Sequence, residues 1–452
     1  MRCRFGGIEF ADPLGRTRLY GTDPVPSSAA ARLCRIPRDC RARPHGLRRR
    51  LTAQSTTSTE AEHDHEDGHE HEHAATESSG PQPRLALTYD GGIMVVDANS
   101  LEVIADLPID GFNRLSPGGD NRNVFVSTTG GWAVLDAGTY TQPHGDHTHS
   151  YVSEPVLSDV VASAETPGHV VHHDGQTALF DDGTGEVTIF ATATLEEQVD
   201  AGSITPTASY ESADAHHGVA VPLADGQLFV TVGNESDRNG AQVVDADGNV
   251  IAESDECPGI HGETTVGDDL VLAGCEDGVL LSHGDHFHKI DAPDDFGRTG
   301  NAFAADDSTV VLGDYKTDPE GGIDLTQIAL IDTVDESINV VDTGSHYTWH
   351  GLARGEDGEA LVFGTDGTLR VFDPESGELV NEIAVTDEWT VPDEWQTSHP
   401  AIVQDRGYVY ISDPNTSTMY VVDYLGGEVT ETAQLPHEVN ELALASGQLA
   451  EE

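Results

Sequence analysis

The sequence predicts an all-β protein, an eight-bladed β-propeller closed by its C-terminal strand and preceded by a disordered His-rich tail. Three observations carry this. Short β-branched runs bounded by turn residues recur from Leu85 to the end of the chain. No convincing amphipathic helix interrupts them. The runs also share a phase: segments open near Asn113, His169, His217, His261, Asn301, His350 and His399, a spacing of roughly 40 to 55 residues that is the period of propeller blades.

Each segment carries a core strand, such as Asn123-Val124-Phe125-Val126, Ala178-Leu179-Phe180 or Tyr408-Val409-Tyr410-Ile411. A second run ending in aspartate often follows, such as Ala133-Val134-Leu135-Asp136 or Val421-Val422-Asp423. The ends are ragged. Leu85-Ala86-Leu87 and the run from Gly92 to Asp97 begin in mid-blade, and an eighth opening near His437 has only Leu442-Ala443-Leu444 behind it. The two halves complete one blade and leave no open sheet edge. Residues 85–446 then give about 45 residues per blade, and seven blades is the main competing count.

Charge separates the chain into three stretches. Residues 1–50 hold twelve arginines against four acids, and the remainder has ten basic residues against seventy-six acidic ones. The basic start has no apolar run long enough for a signal peptide or a membrane helix. It reads as an extension outside the fold. Residues 51–80 are of low complexity and include the run from Glu62 to His73, in which histidine alternates with acids. Nothing there can bury a core. The acidic, lysine-poor body at 85–446 repels nucleic acid and anionic membranes and suits a high-salt setting, where carboxylate repulsion is screened. Of the five cysteines only Cys257 and Cys275 fall within that body. As a pair they fit a disulfide and an oxidising compartment, with two buried thiols as the alternative.

Two segments read His-Gly-Asp-His-x-His: His144, His147 and His149 in one, His283, His286 and His288 in the other. Gly-Asp is turn chemistry, and histidines two apart in a strand share a face. Three local imidazoles suit zinc, copper or nickel, and the spacing does not rank the three metals. Both segments fall at the turn between the third and fourth strands of a blade, away from the channel. The blade openings supply a second set, in His169, His217, His261, His350 and His399. First strands of blades line a propeller's channel, so these side chains gather at one mouth. One such histidine alone is more often a hydrogen-bonded structural residue. No Gly-x-Ser-x-Gly, phosphate-binding loop or Cys/His nucleophile pattern occurs, which argues against an enzyme.

These histidine segments, together with Pro167-Gly168-His169, Cys257-Pro258-Gly259-Ile260-His261-Gly262 and Ser398-His399-Pro400, resemble the AztD-type zinc metallochaperones over about residues 60 to 446. The resemblance implies an exported eight-bladed propeller, in the periplasm or at the cell surface, that binds Zn2+ and hands it to the solute-binding protein of a zinc ABC transporter. On that reading the protein acts as a monomer. The five blade-opening histidines form the high-affinity site, and the two triads and the tail capture and relay the ion. Two other readings stay open. One is a metalloenzyme of the nitrous-oxide reductase type, which also presents a histidine ring to copper but calls for a fused cupredoxin domain. The other is an adhesive surface propeller with incidental histidines.

Overall fold

The structure, a computed structural model, describes residues 75–450 apart from 235, 268, 269 and 307. The basic extension, the His-rich run and Cys3, Cys34 and Cys40 lie outside the described residues.

The described chain is nearly all-β, with one short α-helix at Leu195–Asp200. Eight sheets each carry a four-strand antiparallel run, in sequence order in all but the one that the C-terminal strand joins. The pattern follows from the sequence. Each apolar run is one strand, and the Asp-Gly and related pairs between runs make tight reversals. Middle strands are buried on both faces, as in Arg84–Tyr89 and Gly92–Asp97, whereas the outer strand Val103–Pro108 alternates between exposed and half-buried positions.

Clusters of buried side chains join consecutive sheets face to face. Ala86 and Ile93 meet Val124 and Leu135 in one cluster, and Val219 and Phe229 meet Val271 and Leu280 in another. Leu85 and Leu87 pack with Tyr410 and Met419, so the last sheet lies against the first. Fully burying one Leu or Phe is worth about 1.5–3 kcal/mol, and each sheet contributes several such residues to both of its neighbours. The C-terminal strand Val439–Ala445 pairs with Arg84–Tyr89, placing Leu444 opposite Leu85. The two ragged ends of the repeat thus share one sheet.

Two features depart from the expected plan. The segment carrying His144, His147 and His149 is not a plain turn within its sheet. It forms a hairpin, Thr139–His144 with His147–Val152, inserted between the third strand Gly131–Asp136 and the fourth strand Val156–Ser163. That hairpin pairs with Thr76–Ser78 in a separate three-stranded sheet. The end of the stretch read as a disordered tail is therefore a strand, held by main-chain hydrogen bonds. Cys257 and Cys275 form a disulfide across 18 residues of chain. It ties the segment entering His261–Val266 to the end of the adjacent strand Leu270–Cys275.

Candidate metal centre

His169 lies in Pro167–His173, the first strand of the third sheet; His217 precedes Ala220–Pro222, the first strand of the fourth; and His261 opens the first strand of the fifth. Three side chains distant in sequence meet because three successive sheets present the same structural position. Nε2 of His217 lies 3.4 Å from Nε2 of His169 and 3.1 Å from Nε2 of His261. Four nitrogens around a tetrahedral zinc with bonds of 2.0–2.1 Å are about 3.3 Å apart. Two of the three edges of that face already have this length. The third pair of ligand atoms lies within 4.8 Å.

The opposite nitrogen of every ring is held. His169 Nδ1 faces Glu263 Oε1 at 3.2 Å, His217 Nδ1 faces Asp182 Oδ2 at 2.5 Å, and His261 Nδ1 donates to the Gly300 carbonyl at 2.6 Å. Such partners fix tautomer and ring direction and raise ligand basicity, leaving Nε2 as the free lone pair. The Gly300 carbonyl is positioned in turn by buried Asp314, which accepts from the Gly300 amide and from the amide and side chain of Asn301.

The electrostatics are uneven across the three rings. Burial pulls the His169 pKa down, but the Glu263 carboxylate outweighs it, and the net value lies above the ordinary imidazole range. Glu263 is held below the usual carboxylate range, because the charge and hydrogen bond of His169 outweigh its own burial. His261 lies well below the ordinary value, chiefly through burial and then through repulsion from His169 and His217. Of the two, His261 gives up its proton more readily to a cation, and His169 holds its proton more tightly. The three rings open into a cavity of about 700 Å³, also lined by Arg114, Arg298, Lys316, Trp349 and Trp395.

Of the five blade-opening histidines, His350 and His399 are not gathered with these three. They stack on each other at 4.6 Å between ring centroids, with the edge of Trp349 against both. His399 Nδ1 donates to the Thr397 carbonyl, while His350 Nδ1 and His399 Nε2 are buried without a partner. Burial depresses both pKa values, that of His350 strongly. His216 is structural, spanning the Asp214 carbonyl and the Thr231 hydroxyl, and His437 stacks on Tyr89.

On the inserted hairpin, His144 pairs across the strands with His147, and His149 follows two residues on, so all three imidazoles share one face. Their ring nitrogens approach to 3.3 Å between His144 and His147 and 2.9 Å between His147 and His149, and Glu77 holds His149 Nδ1 at 2.6 Å. Gly145 makes the reversal at φ 66, a backbone region that glycine adopts freely. The second triad is looser. His283 and His286 stack at 4.7 Å, but His286 lies in the turn and His288 is drawn to Glu336 at 3.2 Å. The three ligand nitrogens of that segment are not gathered.

Three groups at the first site were not singled out from the sequence: Asp182, Glu263 and the Gly300 carbonyl. Glu263 had a usable signal, since it follows His261 by two in a strand. Asp182 sits in an Asp-Asp-Gly-Thr-Gly turn that resembles many others in the chain, and a backbone carbonyl leaves no mark in a sequence.

No protein-family model matches the chain. The zinc chaperone AztD of Citrobacter koseri is 26% identical over 347 residues, spanning 73% of this chain and 78% of that protein. The crystal structure of Citrobacter koseri AztD superposes with a TM-score of 0.70 at 23% identity, over 80% of this chain and 98% of that one. The dihydro-haem d1 dehydrogenase NirN matches more weakly, with a TM-score of 0.53 at 10% identity, over 81% of this chain and 75% of that one. The sequence relative is named for chaperoning zinc, not for catalysis. Over about three quarters of its length, then, this chain is similar to the zinc chaperone AztD in sequence and in fold.

Proposed function

We propose that this protein is an exported zinc chaperone that holds Zn2+ on His169, His217 and His261 and transfers it to the solute-binding protein of a zinc ABC transporter. The observation that carries the proposal is the convergence of three Nε2 atoms at near-tetrahedral spacing, each with its Nδ1 held. Three ligands leave a fourth position facing the cavity. Zinc sites of that kind admit an outside ligand, whereas closed four-ligand sites do not. An acceptor side chain entering there takes the fourth place, and the histidines then leave one at a time. The His217 side chain is 46% exposed, the most open of the three and the natural first to exchange.

On this reading the eight sheets close as an eight-bladed propeller, the C-terminal strand completing the first blade. The channel mouth is where the first strands of neighbouring blades converge. His144, His147 and His149, with Glu77 behind them, form a peripheral capture site. His283, His286 and His288 form a weaker one that gathers only when an ion is present. The disulfide supports export to an oxidising compartment. The direct test is zinc titration of the double variant His217→Ala/His261→Ala against wild type with a competing chromophoric chelator. Loss of the tightest binding event is the expected result, and an unchanged affinity would rule out the channel site.

A further inference from the structure

The histidine cavity is bordered by positive charge that a cation seat does not explain. Residues 51–452 hold ten basic residues against seventy-six acidic ones. Arg114, Arg298 and Lys316 all line this one cavity. Arg238, which donates to the His217 carbonyl at 3.3 Å, stands just behind it. Most of the other bases are engaged elsewhere: Arg122 with Asp136 and Glu196, Lys289 with Asp277, Arg370 with Asp366 and Glu382, and Arg406 with Asp405.

Arg298 and Lys316 are the unusual pair. They face each other across an isolated antiparallel bridge, with each amide bonded to the other's carbonyl at 2.9 and 3.0 Å. Residues opposed in this way project from the same face with Cβ atoms about 5 Å apart, and like charges so placed are destabilising. Among the described residues neither side chain has a carboxylate within ion-pair distance. The nearby acids are hydrogen-bonded or paired elsewhere: Asp314, which also feels the Arg298 charge, to Gly300 and Asn301, Asp182 to His217, Glu263 to His169, and Glu441 to Arg114. Arg298 also lies over Gly300, the residue whose carbonyl holds His261. A guanidinium and an ammonium so close to a zinc seat weaken cation binding by simple repulsion. A bound anion removes both penalties at once.

We infer that this cavity is a carboxylate-receiving site, in which Arg298 and Lys316 bind a carboxylate beside the open coordination position of the histidine-held metal. Guanidinium and ammonium groups are the usual partners of carboxylates, and charge-assisted bonds of this kind are about twice as strong as neutral ones. The metal half of the inference rests on the zinc reading above; the anion half does not. Two sources offer the same chemistry, a free dicarboxylate or the acidic side chains of a polypeptide that docks at the mouth.

The test is calorimetric titration of the full metal-free chain with succinate in one arm and penta-glutamate in the other. Both arms are repeated on zinc-loaded protein and on the variants Lys316→Gln and Arg298→Gln/Lys316→Gln, each first shown to melt cooperatively. At least one probe should bind the metal-free protein, more tightly once zinc is loaded, and weaken by about tenfold or more in the double variant. A response to succinate alone points to a free dicarboxylate, and a response to the peptide alone to a docking polypeptide. Absence of binding by both probes, or binding indifferent to both variants, overturns the inference. Anion binding that persists in a chain unable to hold zinc would refute the zinc reading and leave the anion site standing.

Discussion

Asp182 grips His217 twice over. One carboxylate oxygen lies 2.5 Å from Nδ1 of the ring, and the other accepts the amide of the following residue, Gly218, at 3.3 Å. The same group orients the imidazole and the backbone that carries it. Asp182→Asn keeps the shape but loses the charge, and replacing such a partner typically costs 10–100-fold in metal affinity. Chelator competition should show a loss within that range, with the number of zinc ions bound unchanged.

On the proposed zinc reading, Glu263 sets the acid limit of binding. Zinc must displace the proton that Glu263 stabilises on His169, so affinity should climb with pH through the raised pKa of that ring. In Glu263→Gln the raising partner is gone and burial dominates, so the His169 pKa drops. Measured as zinc affinity from pH 5 to 8, the rise should move to lower pH in the variant. A rise at the same pH in both proteins would show that the pair does not control binding.

The stacked His350 and His399 make a separate, structural prediction. Both are buried, and their pKa values lie below that of an unfolded imidazole. Above the unfolded value near 6.5 each is neutral in both states and contributes no pH dependence. As pH falls below it the unfolded chain takes up protons that the folded one refuses, so stability is lost on acidification. His350→Gln removes one such group. The gap in urea midpoint between wild type and variant should therefore narrow from pH 7.5 to pH 5.

The peripheral hairpin should behave independently. His147→Ala removes the central ring of the triad, to which both His144 and His149 are close. It should abolish a weak binding event and leave the tightest one intact. A change in the tightest constant would mean that the two sites are coupled.

Cys257 and Cys275 close an 18-residue separation, for which loop entropy alone suggests about 3 kcal/mol of stability. The variant Cys257→Ala/Cys275→Ala should lose stability on that scale in chemical denaturation. Because the bridge anchors the approach to His261, its zinc affinity should fall as well.

His169, His217 and His261 could be read from the sequence because the blade period places each at the same point of its own sheet. Phase alone does not say where a side chain turns. His350 and His399 also open their segments, yet they stack on each other beside Trp349, and His399 donates to the Thr397 carbonyl instead. The turn of the His144 hairpin was legible in Gly145-Asp146, but its departure from the blade was not. That departure depends on pairing with Thr76–Ser78, some seventy residues earlier, in a stretch with no strand signal of its own. The opposition of Arg298 and Lys316 was invisible for a similar reason, since a single isolated bridge has no periodicity to betray it.

The three histidines belong to three neighbouring sheets, and an ion shared among them fastens those sheets together. Occupancy then becomes a mechanical property of the molecule. An ion that binds only the folded chain adds about 2.7 kcal/mol at a hundredfold excess over its dissociation constant, concentrated on the two seams between the third, fourth and fifth sheets. The loaded protein should therefore breathe less along those seams, with slower amide exchange there than elsewhere. If the protein delivers zinc as proposed, giving up the ion would restore that motion, so the empty protein leaving an acceptor would differ in stiffness from the full one that arrived.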